Sequence, residues 1–141
     1  MQFFFQNNNK NFDSLADAIK ATCEGLVYIS EIDAPVLPFC GTVVAEVTRE
    51  TILQQIGFDA GTQIEETRFD AFFERLTAFK DWFGEPEKAR AAKFLELQKL
   101  LKEFTRERKV FRVGKIRLDI FAVGIDKDGC LMGVTTKAVE T

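Results

Sequence analysis

The stretch "VFRVGKIRLDIFAVGIDKDGCLMGVTTKAV", Val110 to Val139, decides the fold. Its apolar residues recur at every second position, the period of a strand and not of a helix. Ile116, Leu118, Ile120 and Ala122 fall on one side, and Arg117, Asp119, Phe121 and Val123 on the other. "DKDG", Asp126 to Gly129, is a turn signal that folds Cys130–Ala138 back as a hairpin partner. The C-terminal third is therefore expected to be an antiparallel meander.

Immediately upstream the period changes to that of a helix. Phe94, Leu97, Leu101 and Phe104 form one stripe, and Glu87, Lys88, Lys93, Glu96, Lys99 and Lys102 form the wet face. This longest helix is expected over roughly residues 85–106, opened by Pro86 at a position where proline lacks only a surplus donor. "KDWFGEP" before it is a loop, punctuated by Gly84 and Pro86. "DAFFERLTAF" reads as a helix with Asp70 as N-cap and Phe72, Phe73 and Leu76 as its packing face. "GTQIEETRF" holds a brief strand. "TRETILQQIG" is a short helix capped by Thr48 and stopped by Gly57.

Further toward the N-terminus, "VLPFCGTVVAEV" contains Pro38, which confines it to an edge or irregular strand. "LVYISE" is β-branched and aromatic enough for a strand. "FDSLADAIKATCEGL" is a helix with Ser14 and Asp17 as its capping pair, Leu15, Ile19 and Cys23 on one face and Gly25 as the stop. Residues 1–12, Phe- and Asn-rich, lack a period and read as an N-terminal extension, either a flexible tail or a short added strand, before a domain over 13–141. Helices early and in the middle with a meander at the end predict an α+β layered fold.

Composition narrows the function. The chain has 141 residues, 46% apolar and 29% charged, which suits one globular domain. A net charge of −3 argues against direct nucleic-acid or anionic-membrane binding, both of which want a basic surface. Fifteen Phe against one Tyr and one Trp point to a core of bulky rings with few polar handles. Cys23, Cys40 and Cys130 lack CxxC spacing and read as reduced and structural, consistent with a cytoplasmic protein. No apolar run reaches membrane-spanning length, and "MQFFFQNNNK" lacks the basic start of a signal peptide.

No catalytic constellation is present. There is no His, and with it go the commonest general base and metal ligand. There is no phosphate-binding glycine loop. Asp126 and Asp128 lack the ligand run of a calcium loop and read as an ordinary turn. Glu65 and Glu66 are neighbours on a strand and face opposite sides; Gln54 and Gln55 read as a polar helix face. Two features stand apart. Trp82 lies in a loop segment, where it either plugs the core from outside or stands exposed as a binding anchor; Asp81 beside it either caps and solvates or pairs with a partner's cation. The chain ends in "TTKAVET" directly behind a strand, at Thr141, either as a frayed end or as a held, working one.

These residues resemble the nuclease A inhibitor family, small intracellular proteins that block a sugar-nonspecific, metal-dependent DNA/RNA nuclease. The likeness runs from about Glu24 to Thr141. It is carried by "EGLVYISEID", "ILQQIG", "FDAFFERLT", "DWF" with the long helix behind it and, above all, "RLDIFAVG…GCLMGVTTKAVET". The resemblance implies a single-domain α-β-α sandwich with a mixed, mainly antiparallel sheet. It implies a non-enzymatic protein without cofactor, monomeric before complex formation, that plugs the nuclease active site. The family's contact residues map here to Glu31, Asp81, Trp82 and Thr141, the last approaching the nuclease's metal through water. Lys80 departs from the neutral polar residue expected before the Asp-Trp pair. The alternative reading is an interaction module of the same fold with an unrelated partner.

Overall fold

The computed structural model describes residues 5–7 and 10–141, with side chains from Phe12 onward. In chain order the elements are β1 (Phe5–Asn7), β2 (Lys10–Phe12), α1 (Leu15–Cys23), β3 (Val27–Ile29), β4 (Asp33–Pro35), β5 (Leu37–Val43), α2 (Arg49–Ile56) and β6 (Ile64–Arg68). They continue with α3 (Phe69–Thr77), α4 (Glu85–Phe104), β7 (Arg106–Gly114), β8 (Arg117–Ile125) and β9 (Cys130–Val139). The main sheet has the order β5-β9-β8-β7-β6, and each of its described pairings is antiparallel. Two small antiparallel pairs, β1-β2 and β3-β4, stand outside it; the first occupies part of the N-terminal extension.

The alternation along β8 explains the layering. Leu118, Ile120 and Ala122 bury on one face with α1, α3 and α4, against Ile19, Phe73, Leu97 and Leu101. Phe121, Val123 and Ile125 bury on the opposite face with Phe111, Leu131 and α2's Ile52 and Leu53. A strand that is apolar on both sides must be covered on both sides. The α+β sandwich follows from that, and the expectation of a mainly antiparallel sheet holds throughout the described residues. Each fully buried aliphatic or aromatic side chain contributes about 1.5–3 kcal/mol of transfer free energy.

Helix ends are set by local chemistry. Ser14 accepts the Asp17 N–H at 3.1 Å and starts α1. Thr48 and Thr51 cap α2 reciprocally, and Gly57 ends it in the left-handed region at φ 76°. Three boundaries differ from the sequence reading. Asp70 is not the N-cap of α3, because β6 runs straight into the helix and Arg68 occupies that place. Asp70 instead sits in the first turn, where its charge suits the helix N-terminus, and pairs with Lys102 at 3.5 Å. α4 stops at Phe104 and not Arg106, because the Thr105 hydroxyl donates to the Leu101 carbonyl at 2.6 Å and closes the last turn. Ile116 lies in the β7–β8 turn, 51% exposed, not on the apolar face of the strand.

Edge strand β5 has a device of its own. The Gln55 side-chain amide accepts the Thr42 N–H at 2.9 Å and donates to the Thr42 carbonyl at 3.3 Å, standing in for a further strand. Gly41 leaves room for it, since a Cβ there would collide with that amide. Gln55 thus has a structural task in place of an open polar face.

Candidate functional site

The β3–β4 hairpin and the end of β9 meet in a polar knuckle. Ser30 shapes the hairpin turn: its N–H donates to the Ile32 carbonyl at 2.9 Å. Its hydroxyl also accepts the Val139 N–H at 3.0 Å. The Glu31 N–H returns a bond to the Val139 carbonyl at 3.2 Å, so the turn is laced to the last residue of β9. The Thr141 hydroxyl then donates to Glu31 Oε1 at 2.8 Å, across 110 residues of sequence. Glu31 and Thr141 are both exposed.

The tail between them is held from below. The Glu140 N–H extends the ladder to the Ile116 carbonyl at 2.9 Å. The Glu140 carboxylate pairs with the Arg112 guanidinium from β7. That hydrogen bond holds the Glu140 carboxyl below its ordinary value, and it raises Arg112 in turn. Arg75, in the last turn of α3, adds a smaller push in the same direction on Glu140. Tyr28, buried and stacked on Phe72 at 6.0 Å between ring centres, lies close enough to Arg112 to contribute as well.

Asp81 and Trp82 sit in the connection between α3 and α4. The Phe83 N–H donates to the Lys80 carbonyl at 3.0 Å, which makes Lys80–Phe83 a turn with Asp81 and Trp82 as its two corner residues. Corner residues project outward, and Trp82 is 74% exposed. Its ring meets Phe83 edge to face at 4.8 Å and 82°. Phe79, 59% exposed, leans on the same Phe83 ring at 6.4 Å. The core-plug reading of Trp82 is excluded by that exposure. No hydrogen bond or ion pair links this loop to Glu31 or Thr141 among the described residues.

The structure therefore joins Glu31 to Thr141 and keeps Asp81 with Trp82 in a separate loop. Phe79, Phe83, Arg112 and Glu140 were missed from the sequence. The aromatic spacing in "FKDWF" was a usable signal for the first two. Arg112 on β7 and Glu140 just past the end of β9 are 28 residues apart, and no local pattern connects them.

Other candidate chemistry is weak. Among the described residues no three His, Cys, Asp or Glu side chains gather as a metal site. A cavity of about 770 Å³ lies at the N-terminus of α1 beside the β8–β9 turn, floored by Leu15, Phe104 and Met132. Its carboxylates Asp13, Glu103 and Asp128 are exposed at the rim, and Asp126 is committed to the backbone N–H groups of Asp128 and Cys130 at 2.9 and 3.0 Å. No acid–base pair converges there. The Cys23 thiol is pushed up to about 12 by burial, which leaves it protonated and inert. None of the described helices is long and apolar enough to cross a membrane.

An antiparallel sheet packed between helices, with a laced polar knuckle and a projecting tryptophan turn, defines a small α+β protein whose distinctive groups lie on its surface. The chain matches the model of the nuclease A inhibitor-like protein family over residues 13–141, and it belongs to that family. No curated protein matches it.

Proposed function

We propose that this protein inhibits a metal-dependent, sugar-nonspecific nuclease by plugging its active site, with Glu31, Asp81, Trp82 and Thr141 as contact residues and no catalysis of its own. Membership of the family supports the nuclease as partner. The observation that carries the mechanism is the 2.8 Å bond from the Thr141 hydroxyl to Glu31. It unites two of the four residues into one oxygen-rich projection.

Such a cleft is built for phosphates, so it is positive and holds a divalent cation. Carboxylates on Glu31 and Asp81 replace phosphate oxygens as acceptors for the nuclease's arginines. The oxygens of Thr141 are hard donors suited to the hydration shell of a magnesium ion. Trp82 supplies a large apolar contact at the rim, where aromatic anchors dominate binding energy. Because Val139 and Glu140 are already bonded, docking loses less conformational entropy than a loose tail would. The protein acts as a cytoplasmic monomer before it meets the nuclease.

The test is titration of the purified protein into a magnesium-dependent nonspecific nuclease, followed through DNA cleavage. Stoichiometric loss of cleavage, with no DNA hydrolysis or DNA binding by the protein alone at moderate salt, is expected. Full cleavage at a molar excess, across several nucleases of that class, rejects the reading in favour of an unrelated partner.

A further inference from the structure

We infer that Arg112 is a positioning residue for the binding end: by clasping Glu140 it sets the direction in which Thr141 projects. The inference rests on the reading of Thr141 as a nuclease contact, and it identifies a residue that does not itself touch the partner.

Strand alternation supplies the geometry. Met132, Val134 and Ala138 of β9 bury on the face covered by α1, α3 and α4. Glu140 continues that even-numbered set, because its N–H prolongs the β8–β9 register to the Ile116 carbonyl at 2.9 Å. Val110 of β7 buries on the same face, and Arg112 follows it by two residues. The guanidinium therefore reaches the Glu140 carboxylate across the face of the sheet, not along its edge. Thr141 follows Glu140 directly, so fixing residue 140 limits where residue 141 reaches, and its hydroxyl meets Glu31 at 2.8 Å.

Arg112 is the sheltered partner, its side chain 17% exposed against 44% for Glu140. Arg112 is thus the less mobile partner by burial, so the pair localises Glu140 more than it localises Arg112. Without the clasp, residues 140 and 141 keep the Ile116 backbone bond and the solvent-exposed Thr141–Glu31 bond, next to the Val139 bonds to Ser30 and Glu31, and the Glu140 side chain has lost its ion-pair partner.

The experiment compares nuclease inhibition by the parent, Arg112→Met, Glu140→Gln and the swapped pair Arg112→Glu with Glu140→Arg, each also in a Thr141→Val background. Arg112→Met and Glu140→Gln are expected to weaken inhibition roughly tenfold, a coupling of ordinary size for side chains in one network. The swap restores most of it. In the Thr141→Val background both losses shrink to less than about twofold, because the hydroxyl that the clasp holds against Glu31 is gone. Losses that persist unchanged in that background, or no loss at all, overturn the inference. Amide exchange at Glu140 gives a readout that needs no nuclease: it accelerates in Arg112→Met and slows again in the swap. If the parent inhibits no nuclease while exchange behaves this way, the inhibitor reading falls and the clasp stands; unchanged exchange removes the clasp whatever the inhibition shows.

Discussion

The Glu31–Thr141 knuckle and the Asp81–Trp82 turn are built on opposite principles. The knuckle is polar and tied down: Ser30, Glu31, Val139, Glu140 and Thr141 exchange hydrogen bonds with one another or with Ile116, and Arg112 clasps it from the sheet. The turn is aromatic and lightly tied, with one backbone bond from Phe83 to Lys80 and ring contacts among Phe79, Trp82 and Phe83. A tied polar group fixes register, since a metal's water shell tolerates displacements of only tenths of an ångström. A loosely tied aromatic group contributes area and adapts its angle to the surface it meets. On the proposed reading, the knuckle supplies accuracy and the turn supplies contact energy.

The largest test of this contrast is Trp82→Ala. It is expected to lower affinity for the nuclease by about 2 kcal/mol or more, roughly thirtyfold. Thermal stability should stay within about 0.5 kcal/mol, because the side chain contacts solvent and not the core. A large drop in melting temperature with unchanged affinity of the folded fraction would erase the distinction between the two regions.

Removing Thr141, or replacing it by Val, comes next. Truncation withdraws the projecting oxygens by up to ~3.5 Å. A loss of about 1.5 kcal/mol, near tenfold in the dissociation constant, is expected for either change, with the melting curve unmoved. The two variants differ in kind from Trp82→Ala if the loss depends on magnesium: comparing affinities with and without the ion shows whether only the knuckle reads the metal. Equal inhibition by both variants and the parent breaks the plug mechanism.

Charge neutralisation has a smaller expected effect, about 1 kcal/mol each for Glu31→Gln and Asp81→Asn. Glu31 sits inside the laced knuckle, so its loss should appear mainly as faster dissociation. Asp81, at a projecting corner, should mainly slow association at low salt, and the difference should vanish as salt rises. Lys80→Gln should act in the reverse sense, speeding association with a positive cleft. Affinities that do not change across a salt series remove Glu31 and Asp81 from the surface.

The smallest effect is on folding and concerns the knuckle alone. Glu140 is held below its ordinary 4.5 by the Arg112 hydrogen bond. The folded state thus binds this proton less readily than the unfolded chain. The stabilisation is full above about pH 4.5 and is lost as pH falls through the lower folded value. The pair is partly exposed, so its contribution is about 1 kcal/mol or less. Melting of the parent and of Glu140→Gln should differ at pH 7 and converge as the pH is lowered below about 4.5, whereas the gap between the parent and Trp82→Ala should be independent of pH. A constant gap for Glu140→Gln would show that Arg112 and Glu140 are not paired in solution.

Much of the architecture is legible in the sequence because it rests on short-range signals. The two-residue period of Val110–Val139, the three-to-four-residue stripe of Phe94–Phe104 and the caps at Ser14, Thr48 and Gly57 each involve neighbours within one turn or one strand. That helices cover both faces of the sheet is implied by the family resemblance, and the two buried clusters on either side of β8 bear it out. What those signals leave open is which distant segments meet. Pro38 marks β5 as an edge, yet its place beside β9, with β6 at the far edge, follows from how α2 and the other three helices divide the two faces. The contact of Glu31 with Thr141, the clasp of Arg112 on Glu140 and the stand-in strand made by Gln55 all join residues far apart in the chain, where no periodicity links them. The exposure of Trp82 is of the same kind: its sequence suits a plug as well as an anchor, and it is the folded chain that leaves the ring exposed at a corner of the Lys80–Phe83 turn. Local propensity is settled by neighbours along the chain, but pairing is settled by burying every apolar face at once, and that is a property of the whole fold.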